Sequence, residues 1–344
     1  MVATGYQIDA FATTNKPDVF EKIQYHADPL EENQVYIKIK ACGVCHTDVL
    51  FSATPGVILG HEAVGEIVEV GSNVDYLAPG DVVGFAYMKS SCQSCLLCHS
   101  GDDIMCRKRK MFPEGTNNGY AYAAVCDGRF VYKIPKAIEA KYAGPLMCAG
   151  STVFSAMYGA NLSPTARIAI LGIGGLGHLG LQFARAWGCH VVAISSGRDK
   201  EAEARKFGAH EYWCSKDFTP EFIDKAEKFD MILSTVSGDL DYDIYLDLLK
   251  PNGNFRLVGI PPSEIKFGKI LPFLLDQKNF TGAILGGRKI NTLMLEFAAR
   301  HNIRPQIEEL PMTEDGITEA FHRLHKNQAR YRTVLIPPSE ASSE

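Results

Sequence analysis

The chain has 344 residues, which at about 150 residues per domain predicts two domains. Hydrophobic residues make up 46% and charged residues 22%, a balance that buries a core without disulfide staples. The net charge is −5, from 35 basic and 40 acidic side chains, so no basic excess exists to neutralise phosphates and a nucleic-acid partner is not expected.

Residues 1–20 carry polar side chains throughout and lack the basic start and apolar run of a secretory signal. From 34 to 44 the sequence alternates, Val35, Ile37 and Ile39 against Tyr36, Lys38 and Lys40, which predicts a strand. Similar runs at 63–70, 81–87 and 120–134, separated by Gly, Pro and Asn, make the first ~150 residues β-rich. After Pro164 the rhythm changes. Strands are expected at 167–171, 190–195, 229–236, 255–260 and 280–285, with helices following the first two. Such alternation implies a doubly wound parallel sheet. Two amphipathic helices, 292–301 and 314–327, flank a last strand at 332–336. The longest uncharged apolar stretch, 168–184, is broken by five glycines and His178 and falls short of the ~20 residues a bilayer needs. No membrane partner and a cytosolic setting are expected.

Ten cysteines without a secretory signal point to reduced thiols, and so to metal or catalysis before disulfides. Cys92, Cys95, Cys98 and Cys106 follow a Cys-x2-Cys-x2-Cys-x7-Cys spacing. Two intervening residues let a tight turn aim two sulfurs at one centre, and four thiolates close a tetrahedral zinc shell that leaves no place for substrate. That makes the 89–110 segment a structural-zinc lobe; a disulfide pair and an iron–sulfur cluster are the alternatives. Gly172-Ile173-Gly174-Gly175-Leu176-Gly177 follows the 167–171 strand and opens a helix, the setting in which a Gly-rich turn admits a dinucleotide pyrophosphate. The next strand ends in Ser195-Ser196-Gly197-Arg198-Asp199-Lys200. Hydroxyls followed by Arg198 and Lys200 suit a 2′-phosphate and favour NADP(H), whereas a loop placing Asp199 on the ribose would favour NAD.

Further motifs carry a resemblance. Cys42-Gly-Val-Cys45-His46-Thr47-Asp48, then Gly60-His61-Glu62-x2-Gly65-x5-Gly71-x2-Val74, then Cys148 before the second domain, resemble the zinc-dependent medium-chain alcohol dehydrogenases, and within them the cinnamyl-alcohol-dehydrogenase-like group. The resemblance runs over nearly the whole chain. It implies a GroES-like β-rich catalytic domain from 1–148 and 289–344 and a Rossmann domain over 149–288. It also implies two zinc ions per chain. Cys45, His61 and Cys148 would hold the catalytic zinc, Glu62 would approach it at rest, and Asp48 would orient the His61 ring. His46 and Arg332 would meet the cofactor pyrophosphate, and Val258 and Leu285 the nicotinamide. Phe51, Tyr87, Met88, Met111, Phe112 and Leu285 are candidates for an apolar substrate pocket, and a homodimer built across the Rossmann sheets is expected.

The activity implied is hydride transfer between NADP(H) and an apolar or aromatic aldehyde or alcohol. An NAD-dependent alcohol or polyol dehydrogenase, an iminium reductase and a catalytically idle dinucleotide-binding protein stand as alternatives. One departure is specific. Five residues after the first zinc cysteine, where many relatives carry a proton-relaying histidine, this chain has Leu50, and the loop from 48 to 60 is short. Thr47 still offers its hydroxyl to the substrate oxygen.

Overall fold

The computed structural model describes residues 5–338. They divide into two compact units, 5–148 with 287–338, and Ala149–Gly286.

The first unit is built on a seven-stranded mixed sheet. Its central strand, Gln34–Gly43, turns Val35, Ile37 and Ile39 inward and leaves Lys38 and Lys40 exposed, as the alternation predicts. From Ala41 onward both faces are buried, and the Ala140–Pro145 helix packs closely there: a Cβ on its Gly144 would stand 3.3 Å from Gly43 N. The strand is flanked by Ala63–Val70 on one side and Arg332–Ile336 on the other. The antiparallel registers pair Cys42 with both Ala63 and Leu335. The chain segments leaving those three strand ends, Val44–His46, Gly60–Glu62 and Arg332–Thr333, are therefore held together, with Gly43 N donating to Glu62 O and Val44 N to Thr333 O.

The second unit is a six-stranded sheet in which every pairing is parallel. Across the sheet the strands run Glu211–Cys214, His190–Ser195, Arg167–Leu171, Phe229–Ser234, Leu249–Leu257 and Asn279–Gly282. Numbered along the chain this is the order 3-2-1-4-5-6 of a dinucleotide-binding sheet, whose switch point lies between Arg167–Leu171 and Phe229–Ser234. Arg167–Leu171 is buried along its whole length, which explains its unbroken apolar reading.

Several elements depart from the sequence expectation. The Tyr6–Thr13/Phe20–Ala27 hairpin, Glu211–Cys214 and Ile307–Pro311 were not expected; Phe20–Ala27 and Ile307–Pro311 give little hydrophobic signal, since strands at or off a sheet edge bury little of themselves. The 120–134 run is two strands, Ala123–Asp127 and Val131–Lys133, separated by a Gly128–Phe130 turn. Leu249–Leu257 starts before the expected 255 because it runs through Pro251-Asn252-Gly253, with Asn252 at φ 62° and an irregular register against its neighbour. That tripeptide reads as a turn in sequence. The last strand of the sheet is Asn279–Gly282, not 280–285.

The C-terminal helix Glu314–His325 is capped by Thr313, whose hydroxyl accepts from Gly316 N. Its Phe321 packs edge-on against Phe20 and Tyr120 with ring centroids 5.0 and 6.3 Å away. Each such pair adds about 0.5–1.5 kcal/mol beyond simple burial. Among the described residues no helix is long and apolar enough to cross a membrane.

Candidate functional site

Cys45 caps the short His46–Val49 helix, His61 and Glu62 precede the Ala63–Val70 strand, and Cys148 lies on the π-helical turn Leu146–Gly150. One donor atom from each of Cys45, His61, Glu62 and Cys148 lies within 4.8 Å of the other three, and all four residues are buried. Two glycines permit this convergence. A Cβ on Gly43 would stand 2.0 Å from Glu62 Oε2, and one on Gly144 would stand 2.9 Å from Glu62 O.

The donor atoms are those a metal needs. The Cys45 and Cys148 sulfurs are 4.0 Å apart with no bond between them. Two thiolates at about 2.3 Å on a tetrahedral ion would stand about 3.8 Å apart. His61 uses Nδ1 on Asp48 Oδ1 at 3.0 Å, and its buried Nε2 has no hydrogen-bond partner. A buried ring nitrogen without a partner is costly unless a ligand occupies it. Asp48 in turn accepts from Cys45 N at 2.9 Å, Gly60 N at 3.2 Å and the Tyr120 hydroxyl at 3.2 Å. Tyr120 is absent from the sequence-derived site. Glu62 pairs through Oε1 with Arg332 and leaves Oε2 unpartnered, and burial pushes its carboxyl up to about 7 against the pull of that guanidinium. Arg332 is thus buried against Glu62, with Nε left unpartnered, while His46 is exposed.

Thr47 Oγ1 lies 3.8 Å from Cys45 Sγ. Phe112 and Tyr87 pack on the His61 ring at centroid distances of 4.8 and 5.5 Å, and Phe51 meets Phe112 edge-on at 5.5 Å. These rings wall one side of the cluster, and Leu50 beside them is 63% exposed. Met88 belongs elsewhere. It is buried, pairs with Met111 across a small antiparallel ladder, and lines a separate cavity of about 360 Å³.

The second cysteine cluster stands alone on its lobe. Sulfur separations are 3.5 Å for Cys95–Cys98 and Cys92–Cys106 and 3.9 Å for Cys92–Cys98, again the edges of a tetrahedron around a zinc-sized ion. Ser91 Oγ lies 3.3 Å from the Cys98 sulfur, and Lys108 N donates to that of Cys106. The backbone and hydroxyl of Ser94 lead in bringing the Cys92 thiol down to about 6.

In the second unit the Gly-rich turn lies at the carboxyl end of Arg167–Leu171 and leads into the Gly177–Trp187 helix. Gly172 has φ +88°, and a Cβ there would stand 2.8 Å from Val236 Cγ2. A Cβ on Gly177 would stand 1.9 Å from Gly172 O, so this glycine closes the turn onto the helix. A Cβ on Gly174 would meet nothing within 4 Å, so the space on that side of the turn is open, while Gly174 O accepts from His178 N at 3.0 Å. A pyrophosphate fits such a cradle. Ser195 ends its strand, and Tyr212 donates to Gly197 O at 2.5 Å, fastening the loop after it. Lys200 Nζ donates to Ile173 O at 2.9 Å, beside the Gly-rich turn, whereas Arg198 is paired with Asp217. Val258 N donates to Ser234 O, at the carboxyl ends of the same strands, and Leu285 is buried in the segment after Gly282.

Residues 31–136 match the model of the alcohol dehydrogenase GroES-like domain, and residues 175–300 that of the zinc-binding dehydrogenase. The chain is 37% identical to the aldehyde reductase AdhA of Synechocystis over 95% of its own length and 98% of that protein. It is also 37% identical to cinnamyl alcohol dehydrogenase 1 of Ocimum basilicum, over 94% of each. Among solved structures, the cinnamyl alcohol dehydrogenase SbCAD4 of Sorghum bicolor superposes with a TM-score of 0.88 at 31% identity, covering 96% of this chain and 98% of that one. The Helicobacter pylori enzyme complexed with NADP(H) gives 0.86 at 28% identity, covering 97% and 99%. The chain belongs to the zinc-dependent medium-chain alcohol dehydrogenases, in their cinnamyl-alcohol-dehydrogenase-like group.

Proposed function

We propose that this protein is an NADPH-linked reductase of apolar or aromatic aldehydes, acting in reverse as an alcohol dehydrogenase. The observation that carries the reading is the convergence of the Cys45 and Cys148 sulfurs with an unpartnered, buried His61 Nε2. In this reading Cys45, His61 and Cys148 hold a catalytic zinc and Cys92, Cys95, Cys98 and Cys106 a structural one. When bound, the zinc supplies Lewis-acid polarisation of the substrate oxygen and NADPH supplies the hydride.

The protein's own groups do the rest. Asp48 fixes the His61 tautomer by accepting from Nδ1, which leaves Nε2 as the metal-facing nitrogen. Glu62, restrained by Arg332, keeps Oε2 free to approach the centre when no substrate is there. Phe51, Tyr87 and Phe112 keep water from one side and offer a flat apolar wall. Thr47 holds the substrate hydroxyl and hands on its proton; because Leu50 has no titratable group, water at the exposed mouth takes it from there. In the second unit Gly172, Gly174, Gly175, Leu176 and Gly177 take the pyrophosphate, and Ser195, Ser196 and Lys200 take the 2′-phosphate. The names of relatives support this cofactor: one Mycolicibacterium smegmatis homologue, 35% identical, is an NADP-dependent alcohol dehydrogenase.

The exposed apolar residues Ile260, Ile270, Leu271, Leu274 and Leu275 precede the edge strand Asn279–Gly282 and support a homodimer through that edge. The ten free thiols support a reducing, cytosolic compartment.

The test is NADPH oxidation with cinnamaldehyde, run beside NADH. Turnover with NADPH and little with NADH supports the reading, and preference for NADH overturns the cofactor assignment. Silence with both, in protein holding two zinc ions, would move the substrate to an iminium, whose reduction puts no proton on oxygen and so needs no relay past Leu50.

A further inference from the structure

The Asp48 carboxylate is wholly buried and accepts four hydrogen bonds, two on each oxygen. On Oδ1 the donors are His61 Nδ1 and Gly60 N; on Oδ2 they are Cys45 N and the Tyr120 hydroxyl. Three of these donors belong to the segments that carry Cys45 and His61. The fourth comes from 72 residues away. Without it, Oδ2 would rest on the Cys45 amide alone, in a fully buried position.

Tyr120 is itself fixed from several sides. It has no exposed surface, its N donates to Leu59 O at 2.8 Å, and Phe20 and Phe321 pack edge-on against its ring. Gly60 is bare beneath it: a Cβ there would stand 2.6 Å from Tyr120 Cδ1. The hydroxyl therefore reaches Asp48 from a ring that cannot swing away. Packing alone would be met equally by phenylalanine, so the hydroxyl has a use at Asp48.

We propose that Tyr120 is a positioning residue of the metal centre: its hydroxyl holds the Asp48 carboxylate in the plane that aligns the His61 ring and the Cys45 backbone. It touches neither substrate nor metal. The proposal rests on the reading of Cys45, His61 and Cys148 as the catalytic-zinc site. Removing a group that orients a metal-bound histidine costs about 10–100-fold in metal affinity. Tyr120 acts one bond further out, so a loss of about 3–10-fold follows from the same rule.

Zinc release from the purified holoenzyme to a chromophoric chelator tests it, with Cys148→Ser marking which phase belongs to the four-cysteine lobe. Tyr120→Phe is expected to speed the other phase by about 3–10-fold, leave the lobe phase unchanged, and lower kcat more than it raises KM. Phe321→Leu, which disturbs the packing and keeps the hydroxyl, is expected to lower Tm without that change in release. Wild-type release rates in Tyr120→Phe, or equal acceleration by Phe321→Leu, would overturn the positioning role and leave the zinc site standing. A single, lobe-only phase in the wild-type protein would overturn the zinc site and the role of Tyr120 together.

Discussion

Arg288 is bound twice to Asp103: its backbone N reaches Oδ1 at 3.1 Å and its Nε reaches Oδ2 at 2.5 Å. Asp103 is buried on the short turn between Cys98 and Cys106, and Arg288 begins the Arg288–Arg300 helix. Gly287 is bare at the junction because a Cβ there would stand 1.9 Å from Asp103 Oδ1. The cysteine lobe is thereby tied to the start of this helix, whose guanidinium also lies over the Phe130 ring at 5.1 Å.

Asp103→Asn keeps the shape but removes the charge that Arg288 meets. A loss of about 1–3 kcal/mol is expected, less than for a fully buried pair because Arg288 is partly exposed. Thermal unfolding would show a lower Tm with zinc content unchanged. An unaltered Tm would mean that the pair contributes nothing measurable.

Cys148→Ser is expected to lower bound zinc from two ions per chain to one and turnover by at least about a thousandfold, since a serine hydroxyl is a poor zinc ligand at neutral pH. The four-cysteine lobe lies apart on its own segment, so the melting transition should persist. Elemental analysis and circular dichroism on one preparation check both points, and a chain that no longer folds would show that the two sites are not independent.

The four-cysteine cluster was legible in sequence from its spacing alone, whereas Cys45, His61 and Cys148 were grouped only by the family resemblance, because Cys45 and Cys148 are 103 residues apart. The Gly-rich turn was legible as a motif bounded by a buried strand and a helix. Tyr120 was not. Its bond to Asp48 spans 72 residues and depends on Gly60 having no side chain, a relation that no spacing encodes. Nor did sequence show that Arg332 is buried on Glu62, or that the 292–301 helix starts earlier, at Arg288, where Asp103 receives its first turn. The strands missed, such as Ile307–Pro311, have polar faces that alternation cannot separate from loop.

Lys200 and Arg198 separate on cofactor choice. Lys200 leans onto Ile173 O beside the Gly-rich turn, while Arg198 is held by Asp217. Lys200→Ala should raise the KM for NADPH about tenfold or more and that for NADH less than about threefold, as expected for a charge-assisted phosphate contact. Arg198→Ala should change either by less than about threefold. A larger effect from Arg198 than from Lys200 would reverse the assignment.

Leu50 is exposed, three residues after Thr47, so an imidazole placed there meets solvent directly. Leu50→His is expected to raise kcat for alcohol oxidation about tenfold, within the usual range for a positioned proton acceptor. It should add an inflection near pH 6.5, the ordinary histidine value. If turnover and pH profile stay those of the wild type, proton removal at this position does not limit the reaction.

Glu211 gives the second unit an acid-sensitive contact. Its carboxylate meets Arg167 Nη1 and His190 Nε2, both at 2.7 Å, and Trp213 Nε1 at 3.1 Å, and Arg167 leads in bringing it down to about 2. A carboxyl lowered in the folded state stabilises above its unfolded value, here 4.5, and loses that contribution as pH falls toward 2. Because Glu211 is more than a third exposed, solvent screening reduces the effect to about 1–2 kcal/mol. Glu211→Gln should therefore unfold at lower urea than the wild type at pH 7. The gap should hold down to about pH 4.5 and close below it, as the wild-type carboxylate takes up its proton. A gap that stays constant to pH 3 would mean that Arg167 is held by shape and not by this charge.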